Sequence, residues 1–370
     1  MASGPRPARP FPLDGAAPRL LSLATAVPEH RLDRASVEAF AAEIFDAADS
    51  EVLRLLPAFA NAGIAERRSA LPLERLARPR GWRERHADFL ETAPPLAERA
   101  ILDCLAGAGL TADAVDALVV TCTTGFTVPS LDAVLMDRLD FRQDLQRLPV
   151  FGLGCAGGAL GLARAAALAR AEPGSRVLLL SLELCTQTFR PEDHSKSNII
   201  ACALFADGAA AALLSTEAPS EPAGETSGLA PRVVAWGERR WPDSLEVMGW
   251  HVEDDGLGVL FSADIPRVAR KRFGPAADAF LAGRGLRRAD LDGYVLHPGG
   301  AKVLAALAQS LDLPEAALAD ERAVLERYGN MSGPTVLFAL ARKLERGLAG
   351  RHLLAALGPG FTAGFVLLEG

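Results

Sequence analysis

The chain has 370 residues, 49% hydrophobic and 23% charged, which exceeds one ordinary core and predicts two domains or one duplicated architecture. A formal net charge of −7 argues against nucleic acid as a partner, and no apolar run is long enough for stable membrane insertion without charges or glycines. Five cysteines without a Cys-x-x-Cys pair argue against a disulfide framework or zinc site and fit a reducing, cytoplasmic setting.

Residues 1–18 hold many Pro and Arg but no apolar h-region, and read as a disordered tail, not a signal peptide. Leu20 to Val27 is a strand pattern ended by Pro28. Ser36 is placed to cap a helix through Ala48, and a second helical stretch covers Ser50 to Ala62. Arg67 and Arg68 fit either a solvated patch or a phosphate contact. Asp88 to Ala108 has amphipathic helical periodicity. Asp113 to Thr124 reads as a strand feeding a polar loop, with a helix from Leu131.

Leu148 to Gly152 is a short apolar segment before the turn Gly152-Leu-Gly-Cys155-Ala-Gly-Gly158, and Ala159 to Ala171 follows as a buried helix pattern. The turn places a lone cysteine at a helix N-terminus, where unpaired N–H groups and the helix dipole favour thiolate over thiol. Its glycines permit a sharp turn and close approach of a substrate, in the spacing of a nucleophile elbow. The bland alternative is a structural cysteine on an Ala/Gly-packed helix. Arg176 to Leu182 reads as a buried parallel-type strand, Thr186 to Arg190 as a loop, Ser197 as the start of a helix and Ala209 to Leu214 as a strand.

The second half repeats the first. Arg288 to His297 mirrors Thr111 to Thr121, Gly329 to Leu344 mirrors the cysteine turn and its helix, and Leu357 to Leu368 mirrors Phe205 to Leu214. This predicts an α/β fold made of a duplicated unit with pseudo-two-fold symmetry. Its halves are 19–216 and 232–370, joined by a Pro/Gly/Ser/Glu-rich linker at 217–231. Such symmetry brings Cys155 and Asn330 together at the axis, with His297 at a strand end facing the same crevice. Cys155 is then a nucleophile able to hold an acyl thioester, His297 its proton partner, and Asn330 a donor to an oxyanion. Taken singly, His297 fits a strand-end histidine bonded to backbone, and Asn330 a helix N-cap. His30, His86 and His352 read as loop or surface residues, and neither His194 nor His251 pairs at metal-ligand spacing, so no metal is expected. Cys104 reads as helix core, and Cys122, Cys185 and Cys202 as small buried residues. The order Cys, His, Asn also fits a papain-like thiol hydrolase. Against that stand the Gly-rich flank of Cys155 and the parallel α/β duplication.

Five segments together resemble the type III polyketide synthases, the chalcone-synthase-like branch of the thiolase fold. They are Gly152 to Gly158, Leu204 to Ala210, Leu296 to Gly300, Tyr328 to Ser332 and Gly358 to Gly360. The resemblance implies a layered αβαβα fold and a homodimer. It implies loading of an acyl-CoA starter onto Cys155, and condensation with malonyl-CoA-type extenders after decarboxylation. No organic or metal cofactor is implied; coenzyme A arrives as the thioester. His297 and Asn330 would serve the oxyanion, Phe205 would gate the cavity, and Thr123, Thr188, Gly358 and Pro359 would line it. Val128 would enter the neighbouring subunit's cavity. Val259 stands where plant members carry a second gating phenylalanine. Glu66 stands where the family carries a CoA-binding lysine, leaving Arg67, Arg68 and Lys302 as phosphate partners. Trp241 to Leu257 and Asp193 to Ile199 are similar to bacterial alkylpyrone and alkylresorcinol synthases, which implies a long fatty acyl starter. The alternatives are a malonyl-CoA-only synthase of a small aromatic and a ketoacyl synthase III-like condensing enzyme.

Overall fold

Strands with an apolar residue at nearly every position have no face to offer to water, so they must be covered on both sides. The segments Val177–Leu184 and Asp207–Ser215 are buried throughout and define the centre of the molecule. The computed structural model describes residues 16–45, 54–217 and 230–370.

The chain enters as β1 (Arg19–Ala26) and forms a small ribbon from β2 (His30–Asp33) and β3 (Glu66–Ser69), with α1 (Arg34–Ile44) and α2 (Pro57–Asn61) between them. Short α3 (Leu73–Leu76) precedes the long α4 (Trp82–Gly107), followed by β4 (Ala117–Thr121), α5 (Leu131–Met136), β5 (Gln146–Val150) and α6 (Gly157–Ala171). Then β6 (Val177–Leu184), α7 (Lys196–Leu204) and β7 (Asp207–Ser215) close the first half. The second half holds β8 (Arg232–Arg240), the hairpin β9 (Met248–Glu253) and β10 (Gly256–Phe261), α8 (Ile265–Ala282) and β11 (Gly293–Leu296). It ends with α9 (Ala301–Ser310), α10 (Ala319–Tyr328), α11 (Pro334–Glu345), β12 (Arg351–Gly358) and β13 (Thr362–Glu369).

The main sheet runs β11-β12-β13-β8-β1-β7-β6-β4-β5. From the seam between β8 and β1 the two sides read alike. Each begins with two antiparallel pairings, β1–β7–β6 against β8–β13–β12, and then one parallel pairing, β6–β4 against β12–β11. The seam itself is narrow: one Arg19–Arg232 register pair, flanked by Leu20 N–H donating to Pro231 O at 2.8 Å and Val233 N–H to Pro18 O at 2.7 Å. Only β5 lacks a counterpart, and it carries Pro149 at the sheet edge, where a missing donor is tolerated.

Two helices lie between the half-sheets. Ala159, Leu162 and Ala166 of α6 and Val336, Leu337 and Leu340 of α11 pack with Leu179, Ala212, Leu354 and Val366 in one core. Outside, α4 covers the first half-sheet through Ile101 and Leu105 against Leu178 and Leu180, while α8 and α9 cover the second with Phe273, Phe280 and Leu304. The result is five layers, α/β/α/β/α. Where the central helices cross, a Cβ on Gly158 would meet the Gly333 carbonyl oxygen at 2.3 Å, so only glycine lets the two backbones touch. This contact sets the N-terminal ends of α6 and α11 side by side.

Several expected boundaries move. Asp33, not Ser36, caps α1, its Oδ1 accepting from Ser36 N–H at 2.8 Å, and α1 ends at Ile44. Between Ser50 and Ala62 the described helix is Pro57–Asn61. The helix expected from Asp88 starts at Trp82, because Glu84 reaches back to the Gly81 N–H and closes the first turn earlier. Ser195 caps α7. His352 is buried in β12, not at the surface. Residues 1–15 of the expected tail and 218–229 of the expected linker lie outside the described residues. Among the described residues, no helix is long and apolar enough to cross a membrane.

Candidate active site

The cysteine turn is a short 3-10 segment, Gly154–Ala156, between β5 and α6. Gly152 and Gly154 carry its positive φ angles, 88° and 46°, so the turn differs from a nucleophile elbow, where the nucleophile itself is strained. Gly154 and Gly158 make room for protein, a Cβ on Gly154 meeting Pro359 Cγ at 2.7 Å and one on Gly158 meeting Gly333 O at 2.3 Å, whereas Gly152 borders open space. Thr123 Oγ1 accepts from Gly154 N–H at 3.0 Å, and Gly358 packs against Leu153 and Ala156. Thr123, Gly358 and Pro359 therefore clamp the nucleophile's backbone.

Asn330 is fixed by both ends of its amide. Nδ2 donates to Gly299 O at 3.1 Å and Oδ1 accepts from Ser332 N–H at 2.8 Å, which also rules out a helix-capping role, since α11 begins at Pro334 after Gly333. Its backbone is held by the other half of the chain: Asn330 N–H donates to Leu204 O and its carbonyl accepts from Ala206 N–H, both at 2.9 Å. The side chains of Asn330 and Ser332 lie close enough to the Cys155 sulfur to favour its thiolate. His297 directly follows β11 and is 3% exposed. A Cβ on Gly299 would lie 3.3 Å from His297 Nε2 and 3.9 Å from Asn330 Nδ2, so the two groups border one hollow. Neither ring nitrogen of His297 has a protein partner. Sulfur, imidazole and carboxamide thus share one site at the ends of the central helices.

Burial dominates the electrostatics. It pushes the Cys155 thiol up to about 11, outweighing Ser332 and Asn330, which pull it down. It pushes the His297 imidazole down to about 3. Burial thus opposes the thiolate that the helix N-terminus would favour, and a lone charge on either group is disfavoured. A neutral imidazole still donates from one ring nitrogen, as an oxyanion requires. Beneath the turn Glu183 Oε2 accepts from the N–H groups of Thr123 and Thr124 at 3.0 and 2.9 Å, and burial raises its carboxyl to about 7. Sequence reasoning passed over Ser332 and Glu183. The signal for Glu183 was a single carboxylate in an otherwise apolar strand.

Thr188, Phe205 and Val259 line one cavity beside the site. Val259 pairs across the hairpin with Trp250, whose ring lies 6.0 Å from that of Phe205. Val128 stands apart, 96% exposed, near the exposed rings of Phe126 and Phe151. The expected phosphate partners do not converge. Arg67 is buried, with Nη1 and Nη2 donating to Cys202 O, Phe205 O and Ala203 O at 2.8, 3.2 and 2.7 Å, so it closes the end of α7 and is neither a surface patch nor a phosphate contact. Arg68 is half-buried with a long 3.5 Å contact to Glu29 O, Lys302 is exposed on the first turn of α9, and Glu66 pairs with Arg31. Among the described residues, no cluster of His, Cys, Asp and Glu is arranged to hold a metal.

Family models for the chalcone and stilbene synthases match this chain, the N-terminal domain over residues 79–218 and the C-terminal domain over 235–370. A 1,3,6,8-tetrahydroxynaphthalene synthase of Streptomyces peucetius is 40% identical over 93% of this chain and 91% of its own length. The crystal structure of the 1,3,6,8-tetrahydroxynaphthalene synthase of Streptomyces coelicolor superposes with a TM-score of 0.86 at 27% identity, covering 95% of this chain and 99% of that one. The structure of PKS-I from the brown alga Ectocarpus siliculosus gives a TM-score of 0.87 at 26% identity, covering 96% and 99%.

Proposed function

Because the chain belongs to the chalcone and stilbene synthase family and is a type III polyketide synthase, we propose that it loads a long-chain fatty acyl group from acyl-CoA and extends it with malonyl-CoA-type units to alkylpyrones or alkylresorcinols. The observation that supports the chemistry is that Asn330 lies beside both Cys155 and His297. His297 takes the Cys155 proton as sulfur attacks the starter thioester, and returns it to the departing CoA thiolate. Malonyl-CoA then loses carbon dioxide. The enolate oxygen is held by the His297 Nε2–H and the Asn330 amide, and its carbon attacks the Cys155 thioester, expelling the sulfur. The scheme needs no organic or metal cofactor, and coenzyme A enters only as the thioester.

The starter class rests on the walls. Phe205 bridges to Asn330, and Trp250 and Val259 add apolar surface next to Phe205, where each buried methylene of a chain would contribute about 0.8 kcal/mol. Mass spectrometry of products from a panel of acyl-CoA starters tests this: chains of about ten carbons or more should outperform aromatic starters. Products from malonyl-CoA alone would favour the second reading, a small-aromatic synthase, which the 40% identity to the Streptomyces peucetius protein supports. We also propose a cytoplasmic homodimer. The exposed Val128, Phe126 and Phe151 beside the open edge of β5 form the apolar face a second copy would cover, and analytical ultracentrifugation should give twice the chain mass.

A further inference from the structure

We propose that Arg85 is a positioning residue that ties together two walls beside the active site and fixes the gap between them; this rests on the condensing activity proposed above, not on the starter class. One wall is the short 3-10 segment Cys185–Thr188 that follows β6, with Phe189 after it. The other is the hairpin of β9 and β10. Thr188 and Val259 face one hollow, and Thr188 and Leu257 face a second together with Thr124. The gap between segment and hairpin therefore sets the width of both.

Among the described residues, β9 and β10 pair only with each other and not with the main sheet. A two-stranded ribbon is marginal on its own, so its place depends on what its ends are tied to. At the base, Gly360 N–H donates to Met248 O at 2.9 Å. At the far end the turn between the strands is tied to the start of α4. Trp82 Nε1 donates to Glu253 O at 2.8 Å, and Arg85 Nε donates to Asp255 O at 2.7 Å and to Arg80 O at 3.0 Å. Arg190 Nε adds a bond to Asp255 Oδ1 at 2.7 Å. The other side of the Arg85 guanidinium reaches the opposite wall: Nη1 donates to Gln187 O at 2.5 Å and to Phe189 O at 3.0 Å, and these two residues flank Thr188. Arg85 is buried, and a Cβ on Gly256 would lie 2.8 Å from its Nε, so turn and guanidinium touch. Its Nη2 has no partner among the described residues. A buried donor left unpaired costs stability, so the worth of this arginine lies in the fixed angle between Nε and Nη1, for which a lysine offers only one nitrogen.

Two variants of the full-length enzyme are compared with the wild type. Arg85→Lys keeps the charge and loses the fork, and Trp82→Phe removes only the neighbouring bond to Glu253. In hydrogen–deuterium exchange, peptides covering 248–261 should exchange about tenfold faster in Arg85→Lys and less so in Trp82→Phe, while β6 and α6 keep wild-type protection. With a CoA thioester that the wild type uses, Arg85→Lys should lower kcat/KM for polyketide formation about tenfold or more and release more truncated products. Iodoacetamide should still label Cys155 within about twofold of the wild-type rate, because the sulfur and its neighbours are untouched. Unchanged exchange in 248–261, or faster exchange with the same products and kcat/KM, would overturn the proposal. Should Arg85→Lys lose protection throughout the chain, Trp82→Phe decides: local loosening with more truncated products supports the tie, and their absence overturns it. A wild type that makes no polyketide from any CoA thioester would remove the activity proposed above, and the exchange of 248–261 would still decide whether Arg85 ties the walls.

Discussion

Replacing His297 by Gln removes the group proposed to take the Cys155 proton, and the size of the effect follows from burial. With the thiol pushed up to about 11, a Cys155 left without its partner is ionised at pH 8 to about one part in a thousand. In the wild type the proton can pass to the imidazole, so the two opposite charges arise together and their attraction offsets part of the desolvation that each would meet alone. Iodoacetamide labelling of the Cys155 peptide at pH 8, followed by mass spectrometry, should therefore slow at least about tenfold in His297→Gln. The variant's rate should keep climbing with pH toward about 11, while that of the wild type levels off earlier. The readout is selective, since burial pushes Cys104 and Cys202 up to about 12 and raises Cys122 and Cys185 as well. Equal rates and parallel pH profiles in the two proteins would refute the claim that the imidazole activates the sulfur.

Asn330→Ala should lower malonyl-CoA decarboxylation by about 10²–10³-fold with little change in melting temperature, as for loss of one oxyanion donor; an unchanged rate would take the amide out of the reaction. Gly158→Ala forces a methyl group to 2.3 Å from Gly333 O and 2.7 Å from Val336 Cγ1, and should cost about 3 kcal/mol or more in denaturant unfolding. Glu183 has a folded pKa raised from 4.5 to about 7, so its contribution to stability is full below about pH 4.5 and is lost as pH rises through 7. Calorimetry should find Glu183→Gln gaining on the wild type between pH 5 and 8, by up to about 3 kcal/mol, and a pH-independent difference would contradict the burial argument. Arg67→Met leaves three carbonyls at the end of α7 without their donor and should destabilise by about 3 kcal/mol; a variant that melts like the wild type but has a higher KM for CoA thioesters would return Arg67 to phosphate binding.

What could be read from the sequence is whatever repeats or punctuates. The duplicated pattern placed the two halves of the sheet about one axis, and the glycine turn, the strand-end histidine and the Gly-Asn-Met-Ser segment pointed to the three groups proposed to react. Burial is a property of the assembled layers, and that is where the reading failed. The dipole at the Cys155 turn was visible and its desolvation was not. Arg67 and Arg68 looked equivalent as neighbours, yet β3 is a strand, and successive side chains on a strand point to opposite faces. One guanidinium therefore enters the protein, and the other stays at its margin. A helix boundary such as Asp33 against Ser36 turns on which of two good capping residues the preceding strand can bring into line, here through β2 pairing with β3.

The duplication also explains why the site needs both halves. Cys155 precedes the first central helix and Asn330 precedes the second, and the contact of Gly158 with Gly333 keeps those helix ends together. The second half does not hold Asn330 by itself: Gly299 and Ser332 fix its side-chain amide, but its two backbone hydrogen bonds are to Leu204 and Ala206 of the first. The same position ahead of a central helix that holds a thiol on one side holds a hydrogen-bond donor on the other. Divergence of two like units has thus produced a sulfur facing donors across a seam too tight for any residue larger than glycine.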